Sequence, residues 1–388
     1  MDELTAHGTR DLGGSEQHGP SLTVGPVDKI RLVVLFGGRS AEHEVSCTSA
    51  LHVLRAADPD RFDVVPIGVT REGRWVEAGD AVAALGAGAS ALPSPDDSDG
   101  AELDPLPAIV PSVPAGQAPV PVVVLPLMHG PMGEDGTVQG LFELAGVPYV
   151  GAGVLGSALC MDKSAAKRML SAHGLPQPRW LTAAAGGFDS GFAEQVVAKL
   201  GAPVFVKPAN LGSSVGVTKA SSAAEISAAI DEALRYDDHV VIEEAIVGRE
   251  IEVAVLGNRE PRASIPGEIV PGHEFYDFDD KYVDGLADLR IPAPMTDEAR
   301  RTVQELAITA YQALYVDGMA RVDFFYETEG LARGFLVNEL NTIPGFTPIS
   351  MYPKLWEASG LPYSELIDEL VRLALERHDR RKGFETKR

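Results

Sequence analysis

The chain has 388 residues, 45% of them hydrophobic, which is more than one ordinary core holds, so two or three domains are expected. Acids outnumber bases 56 to 33, a formal charge of −23; a field of that sign repels nucleic acid and anionic membrane, so any bound phosphate must meet a local cluster of bases, helix N-termini or metal ions. No stretch approaches the roughly 18–20 apolar residues of a membrane span, and Cys47 and Cys160 form neither a disulfide framework nor a Cys-x-x-Cys pair, as expected of buried thiols in a cytoplasmic protein.

Residues 1–28 are polar and without periodicity, with no apolar signal-peptide core, and are expected to be a disordered tail. From Lys29 the pattern changes. "IRLVVLF" predicts a buried strand, Gly37 and Gly38 a turn, and "AEHEVSCTSALHVLRAA" a helix. "FDVVPIGV" and "VPVVVLPLM" add strands and "TVQGLFELAG" another helix, giving an α/β unit with a mostly parallel sheet over residues 29–160. Residues 77–117, rich in Ala, Gly, Pro, Ser and Asp, predict a surface insertion within it. A second α/β segment is expected over 161–243, opened by the helix "DKSAAKRMLSAHG" and its Gly174 and Pro176 stop, and a third over 244–388.

Several stretches suggest chemistry. "GAGVLG" (Gly151–Gly156) fits a dinucleotide fingerprint, but no Asp or Glu occurs from Lys163 to Phe188 to hold a ribose, so a tight turn before a helix is the better reading. In "PVFVKPANLGSSVGVTK" a strand presents Lys207, and Gly212, Ser213, Ser214 and Gly216 form a loop whose N–H groups can approach phosphate. Lys does not follow the second glycine and a strand follows the loop, so it is a flap between strands and not a Walker A loop. Glu243 and Glu244 follow an apolar strand and Glu250 precedes the next; a ribose could use such acceptors, although solvated acids are the commoner case. In "MARVDFFY" Arg321 and Asp323 share one strand face, and Glu339 and Asn341 do so in "LVNELNT". The polar "ETEGLARG" between them predicts a hairpin, which would bring Asp323 and Glu339 together. Neighbouring carboxylates repel unless a cation or a raised pKa relieves them, and with Asn341 they make an all-oxygen set that suits Mg²⁺.

Taken in order, "GGRSAEHEVS", "MHGPMGEDGTVQG", "MDKSAAKRML", "FVKPANLGSSVGVTK", "EFYDFDDKY", "ARVDFF" and "VNELNTIPGFTPISMYP" resemble the D-alanine:D-alanine ligases, from about Lys29 to about Glu376. The resemblance implies an ATP-grasp fold, α/β and partly α+β, with an N-terminal Rossmann-like parallel-sheet domain, then a central ATP-grasp domain and a C-terminal one carrying the metal and substrate site. It implies that ATP phosphorylates the carboxylate of one D-alanine and that the amine of a second attacks the acyl phosphate, for peptidoglycan precursor synthesis. By resemblance, Lys163, Lys207 and Lys281 meet ATP phosphates, Glu243 and Glu250 hold the ribose, and Ser213, Ser214, Glu244 and Ile246 complete the nucleotide site. Asp323, Glu339 and Asn341 would hold two Mg²⁺ ions, with Mn²⁺ as a substitute. Glu42 would take the ammonium of the first D-alanine, with His129 close by and Glu44 on a different helical face; Arg321 and the Gly345 N–H would stabilise the oxyanion. Ser350 and Met351 would hold the second carboxylate, and Ser213 and Tyr282 would join Glu42 in closing a loop over the site. A cytoplasmic homodimer is expected. A D-alanine:D-lactate ligase and a non-catalytic nucleotide-binding regulator are the alternatives; Lys281 with Tyr282 favours alanine over lactate, and the intact set of acids and Arg321 argues against the regulator.

Overall fold

The computed structural model describes residues 29–385 apart from 81–83, 85–86, 88, 90, 99, 111–119, 190, 271–287 and 348. The expected tail, part of the expected insertion, and the aromatic loop with Lys281 and Tyr282 lie outside the described residues.

The first sheet contains β1 (Ile30–Gly37), β2 (Phe62–Val69), β3 (Trp75–Glu77), β4 (Glu102–Leu103) and β5 (Val122–Pro126), in the order β4-β3-β2-β1-β5. β1 runs parallel to both β2 and β5, while β3 and β4 form an antiparallel edge. The apolar run of β1 does not alternate because both faces are covered. Leu32, Val34 and Phe36 pack with α1 (His43–Ala56) and with the C-terminal helix, whereas Val33 and Leu35 pack with α2 (Pro105–Ile109) and α3 (Thr137–Ala145). Burying each such side chain contributes about 1.5–3 kcal/mol.

The "GAGVLG" segment is a turn that leads into α4 (Val154–Met161), with Gly153 preceding its first residue. Asp162 then accepts from the Ala165 N–H at 2.8 Å and caps α5 (Lys163–Ala172), which aims Lys163 from the first turn of that helix. The second sheet is antiparallel: β6 (Trp180–Ala184), β7 (Val204–Pro208), β8 (Thr218–Ala220) and β9 (His239–Glu244) in the order β6-β9-β7-β8. Its core packs with α6 (Phe192–Leu200) and α7 (Ala223–Ala233). The glycine-serine loop joins β7 to β8, as the sequence pattern predicts. Glu243 and Glu244 are the last two residues of β9 and not loop residues beyond it, and both are buried.

The third sheet comprises β10 (Arg249–Gly257), β11 (Arg262–Ala263), β12 (Gly267–Val270), β13 (Asp288–Arg290), β14 (Gly318–Glu327) and β15 (Gly334–Asn341). One face carries Ile251, Val253, Val255, Ala320, Val322 and Phe324 against α8 (Asp297–Ala313). Strand alternation sends Glu252, Arg321 and Asp323 to the other face. β14 and β15 form the predicted hairpin with Asp323 opposite Glu339 and Arg321 opposite Asn341, but a bulge intervenes: Phe324 pairs with Val337, so Asn338 is an extra residue. Val337 before the bulge and Leu340 after it both join the apolar face. In a regular strand without the bulge, Glu339, two residues after Val337, would share its face and enter that core. The chain ends in α9 (Met351–Ala358) and α10 (Tyr363–Lys382), whose Leu366, Ile367 and Leu370 pack in the core beneath β1.

Candidate active site

A cavity of about 1020 Å³ opens where the turn after β1, the α4–α5 junction, the β7–β8 loop, the polar face of the third sheet and the segment before α9 converge. Glu42, His129, Lys163, Ser213, Arg321, Glu339, Asn341, Gly345, Ser350 and Met351 line it.

Glu42 stands immediately before α1, at the end of a turn that needs glycine. Gly37 has φ +87, and a Cβ there would lie 2.3 Å from the Val69 carbonyl oxygen. Ser46, on the first turn of α1, accepts from the Gly37 N–H at 2.8 Å and donates to the Leu127 carbonyl at 2.7 Å, which fixes the turn against β5. Glu44 also borders the cavity, but its carboxylate is paired with Arg71.

His129 is buried, with Nδ1 3.1 Å from the Ile343 carbonyl oxygen and 3.4 Å from Glu134 Oε1. Its Nε2 finds no hydrogen-bond partner among the described residues. Burial alone would push the imidazole down, but the hydrogen bond to Glu134 and the charges of Glu42 and Glu134 hold it above the usual histidine range. Burial raises Glu134 in turn, opposed by His129.

The lysines approach from the second sheet and α5. Lys163 Nζ donates to the Leu211 carbonyl, and its burial outweighs the nearby acids, holding it below the usual lysine range. Lys207 and Lys167 lie 3.0 and 3.2 Å from the two oxygens of Glu243. Burial would raise that carboxyl, but the two ammonium groups hold it at about 2. Both oxygens of Glu243, the expected ribose acceptor, are thus engaged by lysines. Glu244 is also committed: it accepts from the Arg179 N–H and Nε at 2.7 Å each and pairs with Arg333.

Ser213 and Ser214 have φ values of +52 and +59, a left-handed pair that non-glycine residues adopt at a cost. The Ser213 hydroxyl is buried without a partner among the described residues. Gly212 brings the loop to Glu42, whose Oε2 lies 4.0 Å from where a glycine Cβ would sit. On the sheet face, Arg321 donates to both oxygens of Asp323 at 2.7 Å, and Asn341 Nδ2 donates to Asp323 at 3.0 Å. Gly345 faces Ser350, whose Oγ would be 2.8 Å from an added Cβ and accepts from the Thr347 N–H at 3.1 Å.

Asp323, Lys207, Ser214, Glu243, Glu244, Ile246 and Glu250 stand outside the cavity wall, although Asp323 touches Arg321 and Asn341 within it. Among the described residues, no three His, Cys, Asp or Glu side chains gather as a metal site. The set here is two carboxylates opposed across a hairpin and one amide, oxygen donors of the kind that hard divalent cations take. Three residues were missed in the sequence. Glu134 lies in a quoted motif, Lys167 is one turn beyond Lys163, and Glu252 is two residues beyond Glu250 on the same strand; periodicity puts the last two on the faces of residues already singled out but does not reveal their partners.

A flap between antiparallel strands, a second antiparallel sheet with an acidic face and an accompanying parallel-sheet domain define an ATP-grasp protein. Family models described as D-ala D-ala ligase N-terminus and C-terminus match residues 31–152 and 169–372. The chain belongs to the D-alanine–D-alanine ligase family. A D-alanine–D-alanine ligase of Geobacillus kaustophilus is 45% identical over 362 residues, covering 90% of this chain and 96% of that protein. Its counterpart in Pseudarthrobacter chlorophenolicus is 48% identical over 366 residues, covering 90% and 95%. The solved D-alanine–D-alanine ligase from Coxiella burnetii superposes with a TM-score of 0.78 at 36% identity, covering 92% of this chain and 97% of that one. The VanG D-Ala:D-Ser ligase from Enterococcus faecalis gives 0.75 at 36% identity, covering 89% and 99%.

Proposed function

We propose that the chain ligates two D-alanine molecules to D-alanyl-D-alanine at the expense of ATP, through an acyl phosphate, to supply a peptidoglycan precursor. The observation that carries this reading is one cavity into which Glu42, His129, Arg321, Glu339 and Asn341 all open. Glu42, on the cavity wall, would receive an ammonium, and the unpartnered Nε2 of His129 and hydroxyl of Ser213 are buried polar atoms that a polar substrate would satisfy. Ser350 and the start of α9 suit the second carboxylate. Arg321 and the Gly345 N–H are the oxyanion donors.

Lys163, Lys207 and Lys281 serve the phosphates, while Glu250, with Ser214, Glu243, Glu244 and Ile246, belongs to the nucleotide side. Asp323, Glu339 and Asn341 would hold Mg²⁺, which when bound neutralises phosphate charge during transfer. Tyr282 completes the closure set with Ser213 and Glu42. The same reading makes the protein a cytoplasmic homodimer, with domains divided near residues 160 and 243. Among the described residues no helix is long and apolar enough to cross a membrane.

Phosphate release from ATP and Mg²⁺ with D-alanine, compared with L-alanine, D-serine and D-lactate as second substrates, tests the assignment, with products identified by mass. D-alanyl-D-alanine as the main product is expected. A depsipeptide product, D-alanyl-D-serine as the main product, or no turnover would refute it.

A further inference from the structure

Arg321 stands between two carboxylates of different standing. Asp323, two residues along the same strand, takes Nε and Nη2 at 2.7 Å each and also accepts from Asn341. Glu252 sits on the adjacent β10, directly across from Asp323 and diagonal to Arg321, whose own cross-strand neighbour is Ala254. Its Oε2 is 3.1 Å from Arg321 Nε. Glu252 is 4% exposed and lines the cavity. A carboxylate this buried is costly to keep charged without a cation beside it.

Asp323 is double-booked. Here both of its oxygens accept hydrogen bonds, whereas a metal ligand must turn at least one of them to the ion. We propose that Glu252 is the positioning residue that keeps the Arg321 guanidinium in place on the cavity side when Asp323 is committed to a divalent cation. The proposal rests on the roles given to Arg321 and Asp323 above. Glu252 suits this task because its strand holds it in register with Asp323, and it can retain Arg321 without using an oxygen of the candidate metal set. Without it, Arg321 falls back on Asp323 and competes with the ion.

The test uses the full-length protein with ADP, titrated with Mn²⁺ and followed by the loss of the free-ion EPR signal, a readout that needs no turnover. Glu252→Gln is expected to weaken Mn²⁺ binding about tenfold, within the range for coupled neighbours, and to lower kcat more than it raises KM for D-alanine. Glu252→Asp should recover part of both losses and covers the case in which the glutamine variant folds poorly. In an Arg321→Ala background, Glu252→Gln should add nothing to the change in Mn²⁺ affinity. Equal weakening in both backgrounds would mean simple loss of a negative charge and would overturn the proposal, as would wild-type Mn²⁺ affinity in Glu252→Gln. If the wild-type chain released no phosphate with D-alanine, the functional reading would fall, and this inference with it.

Discussion

Replacing Glu243 by glutamine leaves the buried Lys167 and the partly buried Lys207 around an amide. Lys167 is 2% exposed and Glu243 likewise 2%, so water cannot take over. Burial pushes the carboxyl up, yet the two lysines bring it from an ordinary 4.5 down to about 2. At about 1.4 kcal/mol per pH unit, that displacement corresponds to about 3 kcal/mol of native-state stability, similar to the cost of breaking a buried ion pair. The sign follows from the depressed value: the contribution is present in full above 4.5 and is lost as pH falls through about 2. Urea unfolding without nucleotide is the assay, with Trp180 as a local reporter because it pairs with Glu243 across β6 and β9. Glu243→Gln should lose about 3 kcal/mol at pH 7 and progressively less below pH 4. A loss under about 0.5 kcal/mol at pH 7, the range of ordinary surface changes, would refute the view that this carboxylate holds the lysines in place.

Asp323→Asn and Glu339→Gln should each lower kcat at ordinary Mg²⁺ by about 100-fold or more, since each removes a charged oxygen from the candidate metal set; near-normal rates in both would remove that assignment. Gly37→Ala should destabilise the first domain by about 2 kcal/mol in a melting experiment, because the methyl group meets the Val69 carbonyl and φ is +87. His129 is held above the usual histidine range, burial opposing and Glu134 and Glu42 prevailing, so its charge is present in full below 6.5 and fades as pH rises through the raised value. Affinity for the first D-alanine should change over that window in the wild type and lose the dependence in His129→Gln, as read by KM against pH. Removing residues 1–28, polar and unpatterned in sequence, should leave kcat and Tm unchanged.

Elements whose burial follows a simple period were legible in the sequence. The unbroken apolar run of β1, the flap between β7 and β8, and the β14–β15 hairpin with Asp323 near Glu339 could all be read from pattern and turn residues. The shared face of Glu339 and Asn341 was also legible, but not the bulge at Asn338, because two residues separated by two positions share a face whatever precedes them. Glu243 illustrates the opposite limit. An acid at a strand end looks solvated in one dimension, and only the meeting of β7, β9 and α5 shows that two lysines bury it. Glu252 was hidden for a similar reason, since its relation to Arg321 is diagonal between strands some 70 residues apart in the chain.

The position of α10 affects the order in which the molecule can be completed. The helix supplies Leu366, Ile367, Leu370, Val371 and Leu373 to the layer beneath Leu32, Val34 and Phe36, and Asp368 pairs with Arg61 at the start of β2. During synthesis the first sheet therefore leaves the ribosome with one apolar face only partly covered, and its missing layer is made only after the second and third sheets. Until then that face is a natural site for a chaperone, and a nonsense mutation just before α10 would strike the first domain as hard as the third sheet.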